Sequence, residues 1–185
     1  DPAGRELPVR PRSARRGHLP GAPDAAIVLL GADHAIGAVA ELSAIGTGAA
    51  IVLAGGFGES GPEGAVRQAA LRRAAGATRL LGPNTIGLVN VTDGIVLSAT
   101  GALELHELPQ GGVSLVSQSG GILGAVLSRA AVRGVGLARL VATGNEADLD
   151  AADILAHLAA DPATRVIALY LEGLRRPDAF RAAAR

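Results

Sequence analysis

The chain has 185 residues, 49% of them apolar, and its 17 basic residues, all arginine, balance 17 acidic ones. Zero net charge leaves no field to gather nucleic acid or an anionic membrane surface, so neither is expected as a partner. Cysteine is absent, which rules out disulfides, thiolate metal sites and a cysteine nucleophile. With no membrane-length apolar run and no signal peptide, the sequence reads as cytoplasmic.

Residues 1 to 24 are rich in Pro and Arg, and prolines at 8, 11, 20 and 23 read as a loop or strand remnant. From Ala25 short apolar runs alternate with helical stretches. The pattern predicts a strand over Ala26 to Leu30, a helix over Ala35 to Ile45, a strand over Ala50 to Ala54, a helix over Glu63 to Ala75 and a strand over Arg79 to Leu81. The runs are apolar throughout, which suits a parallel sheet covered on both faces, and repeated βαβ units predict a Rossmann-like α/β fold. Val89 to Gly111 carries turn residues and weak strand signals, among them Leu97 to Leu105, and a domain boundary is expected near Gln110. A second series follows: strands over Val113 to Val116, Leu137 to Ala142 and Val166 to Leu171, and helices over Gly121 to Arg133 and Leu149 to Ala160. Both series look incomplete, since a doubly wound domain usually has about five strands.

The segment Gly112 to Gly124, GVSLVSQSGGILG, runs an apolar strand through a Ser/Gly turn into a helix. The first N–H groups of such a helix have no internal partner and point at whatever lies beyond it, so an anion fits there. Gly120 and Gly121 let a ligand approach the main chain, and Ser117 and Ser119 can cap the helix or donate to an oxyanion. A capped junction without a ligand explains the same residues. Three more segments sit at strand ends, where open α/β sheets place ligands. Gly82 to Gly87 (GPNTIG) offers Asn84 or is a plain turn; Gly144 to Asp150 (GNEADLD) caps a helix through Asp148 and Asp150. Tyr170 to Gly173 (YLEG) brings a carboxylate, Glu172, out of an apolar strand, either to a partner or to the surface.

In this order the segments resemble the nucleoside-diphosphate-forming acyl-CoA synthetases, relatives of the succinyl-CoA synthetase alpha subunit. The family carries GPN-x-x-G, VSQSG, GN-x-AD, DP-x-T and YLEG motifs; here these are Gly82 to Gly87, Val116 to Gly120, Gly144 to Asp148, Asp161 to Thr164 and Tyr170 to Gly173. The resemblance implies a CoA-binding Rossmann-like domain over 1–110, its first βα unit missing. A flavodoxin-like, three-layer αβα domain follows over 111–185, its C-terminal part missing. The implied reaction joins a small carboxylic acid to CoA at the expense of ATP with Mg2+, giving acyl-CoA, ADP and phosphate through an acyl phosphate and a phosphohistidine.

By the same resemblance, Ser117, Ser119, Gly120 and Gly121 cradle the phosphohistidine phosphate and Glu172 holds the histidine. Arg12, Gly31, Ala32, Gly56, Phe57 and Asn84 meet CoA, and no metal ligand is implied within the chain. The histidine itself belongs to a glycine-rich loop beyond Arg185; His18, His34, His106 and His157 read as surface or packing residues. An ATP-grasp domain or beta subunit is the implied partner, in an oligomer when complete. Thr85 stands where the family's GPN turn often has cysteine. The alternative is a non-catalytic CoA- or nucleotide-sensing module joined to a protein acetyltransferase.

Overall fold

A computed structural model describes residues 21–99 and 108–185; Arg12, His18, His106 and the 100–105 part of the expected Leu97 to Leu105 strand lie outside them. The first part of the chain runs β1 (Ala25–Val28), α1 (Ala32–Ala44), β2 (Ala49–Val52), a 3₁₀ turn (Gly58–Ser60), α2 (Pro62–Ala75) and β3 (Arg79–Leu81). These strands form a parallel sheet in the order β1-β2-β3. Alternation along β2 sorts its side chains to two faces. Ala50 and Val52 join Ala35 and Val39 of α1 and Leu71 and Ala75 of α2 in one cluster, while Ile51 points the other way, to Leu81 and Val141. Both helices therefore cover one face, and the other packs against the second half of the chain. The first strand ends earlier than its apolar run predicts: Leu29 and Leu30 leave the sheet and are exposed.

Next come β4 (Gly87–Asn90) and β5 (Ile95–Ser98), an antiparallel hairpin with Val89 opposite Val96. Then follow β6 (Gln110–Ser117), α3 (Gly120–Arg133), β7 (Leu137–Ala142), α4 (Ala151–Ala159), β8 (Val166–Tyr170) and α5 (Pro177–Ala183). The second sheet has the order β5-β4-β7-β6-β8. Its β6, β7 and β8 are parallel and β4 pairs antiparallel with β7. The hairpin thus precedes Gln110 in sequence yet extends the sheet that follows it. Adjacent residues of β6 again show the layering: Leu115 packs with Leu123 and Leu127 of α3, and Val116 with Ala151 and Leu158 of α4. Helices on opposite faces of β6 give three layers, and each fully buried leucine contributes about 1.5–3 kcal/mol. Arg139 of β7 ties the edges together, reaching Asp93 of the hairpin at 3.2 Å and Asp161 before β8 at 3.4 Å.

α4 owes its start to Asp150, whose carboxylate accepts from the amides of Ala152 (2.9 Å) and Asp153 (3.1 Å), while Asp153 reaches back to the Asp150 amide. This capping box satisfies donors that the helix leaves open. Asp150 is buried and accepts from Nε and Nη2 of Arg176, both at 2.6 Å. The Arg176 guanidinium holds the Asp150 carboxyl below its ordinary value of 3.8, against the upward push of burial. A depressed carboxyl stabilises the fold above its unfolded pKa and loses that contribution as pH falls through the folded one. Asp150→Ala is expected to cost about 1–2 kcal/mol in urea unfolding at neutral pH through loss of the cap. The difference from wild type should shrink below about pH 4. A pH-independent difference would show that the charge is immaterial.

Asp148 does not cap. It accepts from the Leu80 amide at 2.9 Å and pairs with Arg79 at 2.8 Å and Arg72 at 3.3 Å, bracing the loop before α4 against β3. A carboxylate beside two guanidiniums and a strand-edge amide gains more from those donors than from a helix end beyond its reach.

Candidate functional site

The segments picked out at strand ends meet at one end of the second sheet. Ser117 closes β6 and is paired in register with Ala142 of β7 and Tyr170 of β8. The chain beyond each strand must therefore emerge side by side. In the turn after β6 the Ser117 hydroxyl donates to the Ser119 carbonyl at 2.7 Å and accepts from the Ser119 amide at 3.1 Å. Ser117 is fully buried and spent on shaping the turn. Ser119 is the N-cap of α3, its hydroxyl accepting from the Ile122 amide at 3.4 Å. The amides of Gly120 and Gly121 have no partner among the described residues. They lie at the positive end of a 14-residue helix, where an oxyanion is stabilised.

Gly120 is also required by packing, because a Cβ there would lie 2.8 Å from Ile86 Cγ2. At Gly121 the nearest atom to such a Cβ is Ser119 Oγ at 3.9 Å, so the approach to its amide is open. Gly120→Val is expected to abolish phosphate binding at the turn, since its branched side chain must move Ile86 or turn over the free amides. Amide chemical shifts at residues 119 to 122 under phosphate titration report this, and unaltered binding would refute the cradle.

Gln118, which the sequence reading quotes only as part of the turn, joins it to Glu172. Its Oε1 accepts from the amides of Glu172 (2.6 Å) and Gly173 (3.1 Å), and its Nε2 donates to the Gly173 carbonyl at 2.8 Å. Three bonds to main chain fix where Glu172 leaves β8, and its carboxylate has no partner among the described residues. Glu172 is exposed and lines a cleft of about 330 Å³ with Gln118, Gly144, Asn145 and Arg175. Neither His34 nor His157 lines it. Its lining includes Glu146, whose buried carboxylate accepts from Thr143 Oγ1 at 2.9 Å and the Ala151 amide at 3.1 Å, and whose carbonyl accepts from Arg175 Nη1.

The GPN and GN turns interlock. Pro83 O accepts from the Asn145 amide at 2.9 Å, and Gly82 O from the Ala147 amide at 2.9 Å. Asn84 Nδ2 donates to Asn145 Oδ1 at 3.2 Å. Thr85, at the position where the family's turn often has cysteine, is buried; its hydroxyl donates to Ala142 O at 2.5 Å and accepts from the Gly87 amide at 2.9 Å. Two good bonds explain why a hydroxyl serves here.

The remaining expected CoA residues flank this junction on the first sheet. Gly31 caps α1 through its backbone, and Ala32 opens that helix. Gly56 packs over it: a Cβ on Gly56 would lie 3.4 Å from that of Ala32. Phe57 is fully buried and anchors the loop rather than presenting its ring. Two polar residues absent from the sequence reading, Glu59 and Gln68, bind the side chain of Asn145, Gln68 Oε1 at 3.0 Å. The glycine-rich run Gly55–Ser60 was the signal for Glu59; nothing local marks Gln68, which faces the loop only because α2 folds back onto it.

The chain is similar to known proteins. Residues 110–185 match the family described as succinyl-CoA ligase like flavodoxin domain. An ADP-forming acetate–CoA ligase of Methanocaldococcus jannaschii is 36% identical over 133 residues, covering 70% of this chain and 18% of the ligase. A trans-feruloyl-CoA synthase of an unknown prokaryotic organism is 34% identical over 171 residues, covering 90% of this chain and 24% of that protein. The dinucleotide-forming acetyl-coenzyme A synthetase 1 of Ca. Korarchaeum cryptofilum, solved with phosphate and ADP, superposes with a TM-score of 0.84 at 29% identity over 92% of this chain and 36% of that one. The chain spans about a quarter or less of the length of these two curated relatives. No helix among the described residues is long and apolar enough to cross a membrane. The chain belongs to the nucleoside-diphosphate-forming acyl-CoA synthetases, with residues 110–185 as its succinyl-CoA ligase like flavodoxin domain.

Proposed function

We propose that the chain is the CoA- and phosphate-handling part of an acid–CoA ligase that forms acyl-CoA from a carboxylic acid, CoA and ATP and releases ADP and phosphate. Residues 1–110 serve as the CoA-binding domain and 111–185 as the ligase domain, with the β4–β5 hairpin lent across that division. The reading rests above all on Gln118, which fastens the backbone of Glu172 to the turn bearing the free Gly120 and Gly121 amides. An anion held by those amides lies within the same strand-end cluster as an exposed carboxylate. That pairing suits a phosphoryl group carried on a histidine. The amides and helix dipole stabilise the phosphate oxygens, and Glu172 orients the imidazole and supports its positive charge.

Ser117 and Ser119 hold the turn in shape; Gly31, Ala32, Gly56, Phe57 and Asn84 border the approach for CoA, to which Arg12 adds a cation. The histidine and the ATP-grasp elements that phosphorylate it with ATP and Mg2+ are supplied from outside this chain, in the same polypeptide or in a beta subunit of an oligomer. The site's cytoplasmic substrates then need no membrane contact. The test is product analysis with the full-length protein, supplied with ATP, CoA and a panel of carboxylic acids. ADP and phosphate in equal amounts with acyl-CoA are expected. AMP and pyrophosphate, or no acid-dependent consumption of ATP, would refute the assignment.

A further inference from the structure

The cleft beside Glu172 holds a second charged side chain, one without a part in cradling a phosphohistidine. Arg175 and Arg176 follow each other between β8 and α5, and the fold divides their work. Arg176 is spent on structure, its guanidinium paired with Asp150 and with Asp153, each at 2.6 Å. Arg175 is exposed and forms no ion pair among the described residues. Its Nη1 donates to the Glu146 carbonyl, and a guanidinium carries more N–H donors than that single bond uses.

The bond to Glu146 aims the guanidinium. Glu146 has a φ of +56°, a conformation that a residue with a side chain keeps only where its surroundings fix it. Here Thr143 Oγ1 and the Ala151 amide hold its carboxylate. The carbonyl that Arg175 grips is therefore itself fixed, and the guanidinium stays at the cleft instead of trailing into solvent. Arg175 is the only cation among the residues that line this cleft. Two other lining residues, Gly144 and Leu174, have main-chain amides without a partner among the described residues. The Leu174 side chain, 44% exposed, adds an apolar wall.

These donors answer a need of the reaction proposed above. An acid that is to receive a phosphoryl group arrives as a carboxylate and must approach both the phosphate and Glu172, so like charges oppose it. In that step a carboxylate oxygen attacks phosphorus and the P–O bond forms as the P–N bond breaks. The imidazole leaves with the electron pair and keeps the proton on its other nitrogen, toward Glu172. The Gly120 and Gly121 amides serve the phosphate, so the acid requires donors of its own. A guanidinium fork matches the two oxygens of a carboxylate.

We propose that Arg175, with the Gly144 and Leu174 amides, forms the subsite that binds the carboxylate of the substrate acid and orients it for phosphoryl transfer. It rests on the ligase reading above and deepens it by giving the acid a counter-charge separate from the phosphate turn.

Amide-resolved NMR of the 185-residue chain, with acetate and inorganic phosphate as probes, tests this without turnover. Acetate is expected to shift Gly144 and Leu174, with roughly ten-fold weaker apparent affinity in Arg175→Gln, the size of one lost charge-assisted contact. Phosphate should shift Gly120 and Gly121 equally in both proteins. In the full-length protein, Arg175→Gln should raise the KM for the acid by a similar factor. The KM for CoA and the yield of phosphoenzyme from labelled ATP should stay within about two-fold, and Arg175→Lys should recover part of the loss. Acetate shifts that survive Arg175→Gln undiminished, phosphate moving Gly144 and Leu174 more readily than acetate does, or an unchanged KM for the acid would overturn the proposal. Absence of acid-dependent ADP formation in the full-length wild type would overturn the ligase reading, and the acetate titration would still decide whether Arg175 binds a carboxylate.

Discussion

Glu172→Gln in the full-length protein is expected to lower turnover by roughly 10²–10⁴-fold, the range for a positioned acid–base or orienting group, with the KM for CoA changed less than about three-fold. The substitution keeps the shape and one acceptor oxygen but removes the charge that would orient and stabilise a cationic imidazole. Its effect on the fold should be small. Gln118 grips the main chain of residues 172 and 173 and not the Glu172 side chain, so the urea midpoint should match that of the wild type. The split between lost turnover and kept stability separates a reaction role from a packing one. Formation of the phosphorylated enzyme from labelled ATP gives the direct readout, and turnover equal to wild type would remove Glu172 from the mechanism.

Gly144→Ala should cost about 2–5 kcal/mol of stability, combining left-handed backbone strain with overpacking. Gly144 has φ of +61°, and a Cβ there would lie 2.3 Å from Pro83 O and 2.6 Å from Asn84 O. Both atoms belong to backbone and cannot turn aside. Relief requires the GN turn to withdraw from the GPN turn, which breaks the Asn145 amide bond to Pro83 O and loosens the cleft wall formed by Gly144 and Asn145. Chemical denaturation measures the loss. A variant as stable as the wild type would mean that the two turns are not locked together as described.

The sequence disclosed the frame more fully than the joints. The apolar run at β2 is legible because a strand buried on both faces has no polar positions to blur it, and those at β6, β7 and β8 are legible from their branched and aliphatic residues although β8 is largely exposed. The motifs at strand ends are legible as a set because parallel strands bring their C-terminal ends together. The β4–β5 hairpin was obscured by the mixed character of Gly87 to Ser98, where Asn90, Thr92 and Asp93 interrupt the run. Its membership in the second sheet depends on Leu88, Val89 and Asn90 pairing with β7, some 50 residues later in the chain, which no local pattern records. Asp148 misled for a related reason. An acidic residue just ahead of a helix reads as a cap, but a guanidinium 69 positions away claims it. Of the candidate site residues, Ser119, Gly120 and Gly121 lie at the start of α3, Ser117 is spent on shaping the turn before it, and Phe57 is a buried anchor. Gln118 and Glu59 were in plain view but act through main-chain bonds whose partners only the fold supplies.

Isothermal titration of CoA into the 185-residue chain decides whether it forms a CoA site beside a phosphate-binding turn. After circular dichroism establishes that the chain is folded, micromolar binding with a negative heat-capacity change is the predicted result. A folded chain that takes up no heat from CoA at millimolar concentration would contradict it.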